Sequence, residues 1–435
     1  MTKRPDSGAN QDPAPRLAVE GGAPTRSVPL PLEFPGVYRI DEKEIEAAAR
    51  VLRSRSLFRY YGIEPQKEAE SFEAELATFI GTRHALGVGS GTGALHTALA
   101  AFEIGPGDEV IVPAYLWVSI AAAVVNLGAI PVLADIDDTF CLDPQAVEQQ
   151  ITGRTRGIVL VHMSGAPGDA EAIRRLAAAH GLFLVEDCAQ CFGGSIAGRK
   201  VGTWGDIGIF SFQMNKNMTA GEGGGLVTND QTLYRKAFAA HDLGYARQEG
   251  RLVIDDPNLM TWGRGYRLDE LRAAVLRVQL RKLPETIGAM RRSKYRIREA
   301  LQRFDGVKLR RILDPAGDTG CFLITTYRDA ETARRVNAAL RAEGIVTFPQ
   351  GISNILMTDW GLHLYYNNAS LVRHRGLAFR LSENAGLARD YAKGACPVGD
   401  SLFERSILLP IPSCLTQEDE EDIICAFEKV LEALL

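Results

Sequence analysis

From Glu68 to Asn229 the apolar positions alternate between two periods. AESFEAELATFIG has helical spacing, and a short strand over residues 85–88, a Gly/Ser/Thr turn and a helix opening near Gly93 follow it. DEVIV is stopped by a proline, then come a helix in LWVSIAAAVVNLG, a strand in IPVLADI, a helix over 144–151, a strand in GIVLVHM, a helix in AEAIRRLAAAHG and a strand in LFLVEDCAQ. Two further apolar runs, 207–212 and 225–228, enclose a polar loop that carries Lys216. Strands that are short, continuous and rich in Val, Ile and Leu, alternating with helices, describe an α/β fold: a mostly parallel sheet of seven strands flanked by helices.

The flanks read differently. Residues 1–25 are rich in Pro, Gly, Ser and Ala, a composition that predicts a flexible tail. Residues 41–53 place Ile45, Ala48, Val51 and Leu52 on one helical face. After Leu280 the pattern predicts a long helix over 281–304, strands near 307–311 and 321–327, a helix over 330–343, a strand over 345–348 and a last helix over 417–434. The expected division is thus a large domain over 26–280, with its first helix packed on the small domain, and a smaller α/β domain over 281–435. Residues 352–376, with Trp360, His363, Tyr365 and Tyr366, read either as a loop over a pocket or as a packed excursion of the small domain.

Composition narrows the class. The chain has 435 residues, 46% hydrophobic and 24% charged, enough for a large core and a second domain. A net charge of −5 gives no broad footprint for nucleic acid or an anionic membrane. No apolar run approaches the roughly 18–20 residues that span a bilayer, and the start lacks a signal's apolar segment, so the expectation is a cytoplasmic protein. Seven cysteines fit reduced thiols, and the C-x-x-C spacing of Cys188 and Cys191 lacks the second pair or spaced histidines of a zinc site; no metal is expected.

In parallel sheets ligands bind beyond the carboxyl ends of the strands. That rule gathers residues 90–93, 115–117, His162, Ser164, residues 187–190 and Lys216 at one edge. A loop lysine alone reads as solvated, and its companions change the reading. Asp187 ends a buried strand, where a carboxylate needs a positive partner such as a pyridinium nitrogen, or else serves as a turn residue. Trp117 is placed to stack on a ring or to fill core. Gly-Ser-Gly-Thr-Gly at the head of a helix suits a phosphate, although a tight turn also asks for glycine, and the dinucleotide fingerprint is absent. Together they predict that Lys216 forms a Schiff base with pyridoxal phosphate (PLP).

The segments GSGTGAL (89–95), PAYLWVS (113–119), VEDCAQ (185–190), SFQMNKNMTAGEGG (211–224) and SILLPIP (406–412) resemble the DegT/StrS family of PLP-dependent sugar and cyclitol aminotransferases, of the aspartate-aminotransferase fold type (fold type I). The resemblance implies that Lys216 is the Schiff-base lysine, Asp187 the partner of the pyridine nitrogen, Gln190 a partner near the ring hydroxyl and Trp117 the stacking residue. Gly91, Thr92 and Ser211 would cradle the phosphate. It implies a homodimer with active sites at the subunit boundary. The family's G-x-N-x-R motif, which sends an asparagine to the partner's phosphate, here reads GRGYR, with Gly265 in the asparagine's place and Arg264 as its expected substitute.

The implied reaction moves an amino group from glutamate or glutamine to a keto-sugar, keto-cyclitol or related oxo compound, by way of pyridoxamine phosphate, in natural-product or surface-sugar biosynthesis. A lysine at 216 argues against the family's dehydratase branch. Another PLP reaction type, dehydratase or lyase, and a non-catalytic regulator of the same fold are the alternatives. Arg59, Tyr60, Tyr61, His162, Tyr266 and Arg267, with Arg247, are the candidate substrate residues, against a reading of core packing or ordinary surface arginines.

Overall fold

The central sheet runs β1-β7-β6-β5-β4-β2-β3. Its strands are β1 (His84–Val88), β2 (Glu109–Pro113), β3 (Ile130–Ala134), β4 (Thr155–Val161), β5 (Phe183–Asp187), β6 (Ile207–Ser211) and β7 (Gly224–Thr228). Only β7 runs against its neighbours β1 and β6, so the seven-stranded, mostly parallel α/β expectation holds. This computed structural model describes residues 16–347, 353–387 and 389–435.

Both faces of the sheet are covered, which is why β2, β3 and β6 are buried at every position. Helices α1 (Glu42–Ser54), α2 (Glu68–Ile80), α3 (Gly91–Ala101), α4 (Val118–Asn126), α5 (Pro144–Gln150), α6 (Ala170–Ala179), α7 (Gln231–His241) and α8 (Glu270–Leu301) precede the small domain or lead into it. One core joins Leu95 and Leu99 of α3 and Ile120 and Val124 of α4 to Val110, Val112 and Val185 of the sheet. On other parts of the sheet Val147 of α5 and Ile173 of α6 meet Ile111, Ile158 and Leu184, while Phe72 of α2 and Leu276 of α8 meet Phe210 and Phe212.

The small domain has four antiparallel strands in the order β8-β9-β11-β10: β8 (Lys308–Leu309), β9 (Phe322–Thr326), β10 (Ile355–Leu356) and β11 (Ser406–Pro410). Helices α9 (Ala330–Ala342) and α12 (Gln417–Leu434) cover it together with the second half of α8. Between β10 and β11 lie two short helices, α10 (Ala369–Val372) and α11 (Pro397–Glu404).

Five boundaries differ from the pattern-based expectation. First, α8 does not begin after Leu280: Asp269 caps it, accepting the Arg272 N–H at 2.8 Å, and it runs unbroken past Pro284 into the small domain. Second, α1 buries Ala47 and Val51 against Ala274 and Val278 of the first half of α8, instead of packing on the small-domain core. Its buried face is set by Glu44, whose carboxylate takes hydrogen bonds from Gln279 (2.8 Å) and Lys282 (2.7 Å), and this leaves Ile45 and Leu52 each 55% exposed.

Third, residues 16–25 of the expected tail are ordered on the small domain. Leu17 is buried in its core, and the wholly buried Glu343 carboxylate accepts the N–H groups of Ala18 (2.8 Å) and Thr25 (2.9 Å); residues 1–15 lie outside the described residues. Fourth, the strand expected over 345–348 is reduced to a single parallel bridge between Leu30 and Thr347, with residue 348 outside the described set, and Ile355–Leu356 fills the sheet position beside β11. Fifth, part of the segment expected in the small domain packs against the large one. Met357, Trp360, Leu364, Tyr365, Leu371 and Tyr391 enter the core built on β2 and α4, because Leu364 bridges to Tyr115 just past β2.

Candidate active site

A cavity of about 390 Å³ opens at the carboxyl ends of β1, β2, β5 and β6. At its floor lies the start of α3. Ser90 caps that helix, accepting the Gly93 N–H at 3.0 Å, which leaves the N–H groups of Gly91 and Thr92 at the helix's positive end. Thr92 and Ser119 join hydroxyls at 2.7 Å. The cradle tolerates no side chain: a Cβ on Gly91 would lie 2.7 Å from Ser211 Cβ, and one on Gly224 would lie 2.3 Å from Ser90 O. Backbone donors and three hydroxyls around a glycine-lined hollow fit a phosphate monoester.

Asp187 and Lys216 stand on the same cavity wall. Asp187 is buried, its Oδ1 accepts the Ala189 N–H at 2.9 Å, and burial raises its carboxyl to about 6 against the opposing pull of Lys216. Lys216 is pushed the other way: burial lowers its ammonium, with the Asp187 carboxylate and the Cys321 thiol opposing. The pair provides an amine that loses its proton readily and a carboxyl whose ionised form wants a cation. Asn215, beside the lysine on the cavity wall, buries an Oδ1 without a hydrogen-bond partner among the described residues. A phosphate cradle, a buried carboxylate for a ring nitrogen and a desolvated lysine amine fit PLP, and Gly91, Thr92, Ser211, Asp187 and Lys216 would hold it.

On the far side of Asp187, Gln190 accepts the Ser164 N–H at 3.0 Å and lies 3.1 Å, Nε2 to Nε2, from His363. His363 lies 4.8 Å from Trp117, ring centre to ring centre, and stacks on Trp360 at 4.2 Å and 13°. Trp117, the expected stacking residue, is half exposed on the rim, and Trp360 and His363 line the same cavity. The segment expected as lid or excursion is therefore packed and pocket-lining at once. His363 and Trp360 were distinguished in the sequence only by the aromatic content of their segment. Glu222, inside the 211–224 segment, also lines the cavity, as do Glu33 and Cys321, around which no local pattern stands out.

None of the candidate substrate residues lies on this wall. Arg59 is consumed by Glu73, with two bonds at 2.7 and 2.8 Å. Tyr60 lies under the guanidinium of Arg247, and Tyr61 is 64% exposed. Arg267 pairs with Asp242 at 2.7 Å, and Tyr266 hydroxyl meets His96 Nδ1 at 3.0 Å behind the cradle. His162 points into the protein. Its Nδ1 accepts the Gly168 N–H, so Nε2–H donates to Glu186 at 2.9 Å, and Glu186 also takes the N–H groups of Gly202, Trp204 and Gly205. Cys188 lies near this pair, but the imidazole and both carboxylate oxygens are already hydrogen-bonded, which marks a structural network instead of a metal site. Cys188 and Cys191 are free, buried thiols with raised pKa. Arg264 is exposed beside Gly265, whose φ is +70°.

Comparison with known proteins agrees with this geometry. The chain is 35% identical over 437 residues to an L-glutamine:2-deoxy-scyllo-inosose aminotransferase of Streptoalloteichus tenebrarius, covering 95% of this chain and 97% of the relative. It is 36% identical over 367 residues to a UDP-N-acetyl-3-dehydro-alpha-D-glucosamine 3-aminotransferase of Acidithiobacillus ferrooxidans, covering 84% and 89%. The crystal structure of the aminotransferase TlmJ from Streptoalloteichus hindustanus superposes with a TM-score of 0.74 at 27% identity, over 91% of this chain and 98% of that one. Residues 38–354 match a family model, and with it this PLP-type site finds its place: the chain belongs to the DegT/DnrJ/EryC1/StrS aminotransferase family.

Proposed function

We propose that this aminotransferase takes its amino group from L-glutamine and delivers it to an uncharged keto-cyclitol or closely similar keto-sugar in the biosynthesis of an aminated natural product. PLP would be its cofactor, and a homodimer with active sites at the subunit boundary its working form. The observation that carries the acceptor class is the composition of the cavity wall. Among the described residues of one chain it has Glu33, Glu222 and Asp187, one lysine and no arginine, and the one guanidinium proposed to come from the partner, Arg264, is assigned to the cofactor's phosphate. A sugar nucleotide's diphosphate is bound by guanidinium forks, whereas the hydroxyls of a cyclitol take carboxylate and amide partners of the kind that Glu33, Glu222, Gln213 and Asn215 offer. Support also comes from the near-full-length likeness to a glutamine:cyclitol aminotransferase; the relative acting on a UDP-linked sugar represents the competing reading.

When bound, PLP supplies an imine-forming aldehyde and an electron-withdrawing ring that stores the amino group as pyridoxamine phosphate. The chain's own groups do the rest. Asp187 carboxylate holds a proton at the ring nitrogen, where the charge pair replaces the cost of its burial. Lys216 Nζ, deprotonated readily because it is desolvated, is the base that takes the donor's α-proton and returns it. Gly91, Thr92 and Ser211 would hold the phosphate, and Trp117 would flank the ring.

The Phe58–Tyr61 edge and the 242–267 segment expose Tyr61, Leu243, Tyr245 and the 91% exposed Trp262, an apolar surface suited to a second subunit. Arg264, within it, would reach the partner's phosphate.

The test is a half-reaction. Purified holoenzyme given L-glutamine should lose its visible absorbance and release the corresponding oxo acid, and then aminate a keto-cyclitol such as 2-deoxy-scyllo-inosose. Lys216→Ala should lower turnover by at least roughly 10²–10⁴-fold. Amination confined to nucleotide-linked keto-sugars would refute the acceptor class, and an unreactive cofactor would refute the aminotransferase assignment to this site.

A further inference from the structure

The geometry points to His363 as a positioning residue for the cofactor, acting through Gln190, a role that rests on the PLP reading of the site. No motif of the cofactor half contains it; it arrives on the segment between β10 and β11. Main-chain bonds fix its approach: the Leu116 N–H donates to His363 O at 3.0 Å, and the Tyr365 N–H donates to Ala114 O at 3.4 Å. Met357, Trp360, Leu364 and Tyr365 on either side are buried in the large-domain core, so the segment is a built wall instead of a moving lid.

The hydrogen-bond chain determines every proton in it. The Ser164 atom in this contact is its backbone N–H, a donor, so the Gln190 atom 3.0 Å away is the carbonyl Oε1, and Nε2 faces His363. The His363 Nε2 at 3.1 Å is then an acceptor, and its Nδ1 carries the hydrogen that donates to Trp360 O at 3.0 Å. Burial, with Lys216 as the facing charge, depresses the imidazolium to about 3, so the ring stays neutral across the physiological range. A neutral ring with both nitrogens occupied moves no proton, and this separates positioning from acid–base work.

Gln190 has two amide hydrogens. His363 takes one; the planar amide, pinned at both ends by Ser164 and His363, presents the other in a fixed direction on a wall shared with Asp187. An N–H held there is a donor for an anionic oxygen on the cofactor ring, and such a donor stabilises the charge on that oxygen. Loss of the His363 acceptor frees the amide to rotate and weakens the donation.

The readout is the pH titration of the holoenzyme's visible band, which reports charge on the ring oxygen and its neighbouring imine independently of turnover. His363→Leu removes the acceptor; His363→Gln keeps an oxygen able to take the Gln190 N–H. The expected result is a midpoint raised by about half a pH unit or more in His363→Leu, recovery toward the wild type in His363→Gln, and no further shift when His363→Leu is added to Gln190→Met. An unshifted midpoint in folded, cofactor-loaded His363→Leu, equal shifts in both His363 variants, or additive shifts with Gln190→Met would overturn the proposal. Nitrogen-15 NMR of the wild-type imidazole tests it without any substitution. A neutral Nδ1–H tautomer from about pH 5 to about pH 9 supports it, and an Nε2–H tautomer or a titration in that range overturns it. Failure here with an intact glutamine half-reaction leaves the functional reading standing; a wild-type protein that never forms the band overturns both.

Discussion

Asp187 carries the clearest electrostatic consequence at the level of single residues. Burial pushes its carboxyl up to about 6 in the cofactor-free protein, against the lowering pull of the Ala189 N–H and of Lys216, compared with about 3.9 in an unfolded chain. Between those values the folded state binds the additional proton, so this group's contribution to stability falls as pH rises from about 4 to about 6. Urea-unfolding midpoints of the cofactor-free protein, wild type minus Asp187→Asn, should therefore decrease across that window. The slope should vanish or reverse when PLP is bound, because a ring cation favours the ionised carboxylate. A pH-independent difference would place the Asp187 proton elsewhere. That Asp187 and Lys216 belong together was legible in the sequence, since strand ends in a parallel sheet share one edge. His162 was misplaced by the same rule. It follows β4 as Asp187 ends β5, but its ring turns back to Glu186, whose side chain leaves the strand on the face opposite to that of Asp187. Arg59 was illegible for another reason: it lies in the turn after α1 while its partner Glu73 sits on α2, and nothing in the order of residues marks the pair.

Among elements, the start of α3 has little room for change. Every close approach there uses a missing side chain, and the Gly91 position meets Ser211 Cβ at 2.7 Å. Gly91→Ala should lower stability by about 1–3 kcal/mol, by forcing apart α3 and the end of β6, and should weaken cofactor affinity more than it changes the unfolding midpoint of the cofactor-free protein. The added substitution Ser211→Gly should restore much of the stability but not the affinity, since it also removes a phosphate-facing hydroxyl; equilibrium dialysis beside thermal unfolding separates the two. The periodicity that located α3 could not locate the segment after β10. Its short helices have no sustained period, and its apolar residues are spent on a core made about 250 positions earlier in the chain, as with Leu364 against Tyr115. α1 misled more simply. Ile45 and Leu52 look like core by hydropathy, but the buried Glu44, with Gln279 and Lys282 on it, decides which face turns inward.

For the whole molecule, α8 and the 357–396 segment tie the two domains together, and the proposed homodimer would complete the phosphate cradle at the subunit boundary. The cavity holds one formal cation among its described residues, Lys216, and in the proposed function that amine would be committed to the cofactor's aldehyde. A bound phosphate dianion then depends on helix α3 and hydroxyls alone, unless charge arrives from a second subunit. We propose Arg264 as that group. It is exposed, its backbone is fixed by the Ala240 carbonyl at 3.0 Å, and the next residue, Gly265, occupies a left-handed conformation that asparagine also tolerates. Arg264→Ala should leave the fold intact and weaken PLP binding by roughly 10-fold or more, equivalent to about 1.4 kcal/mol or more, within the range of a charge-assisted hydrogen bond. Gly265→Asn in that background should recover part of the loss by returning an amide donor to the same turn. Cofactor affinity measured by dialysis, beside subunit mass by light scattering, checks both. Unchanged affinity in Arg264→Ala would mean that the cradle of one chain holds the phosphate unaided. A monomer that binds PLP as tightly as any dimer would remove the shared site altogether.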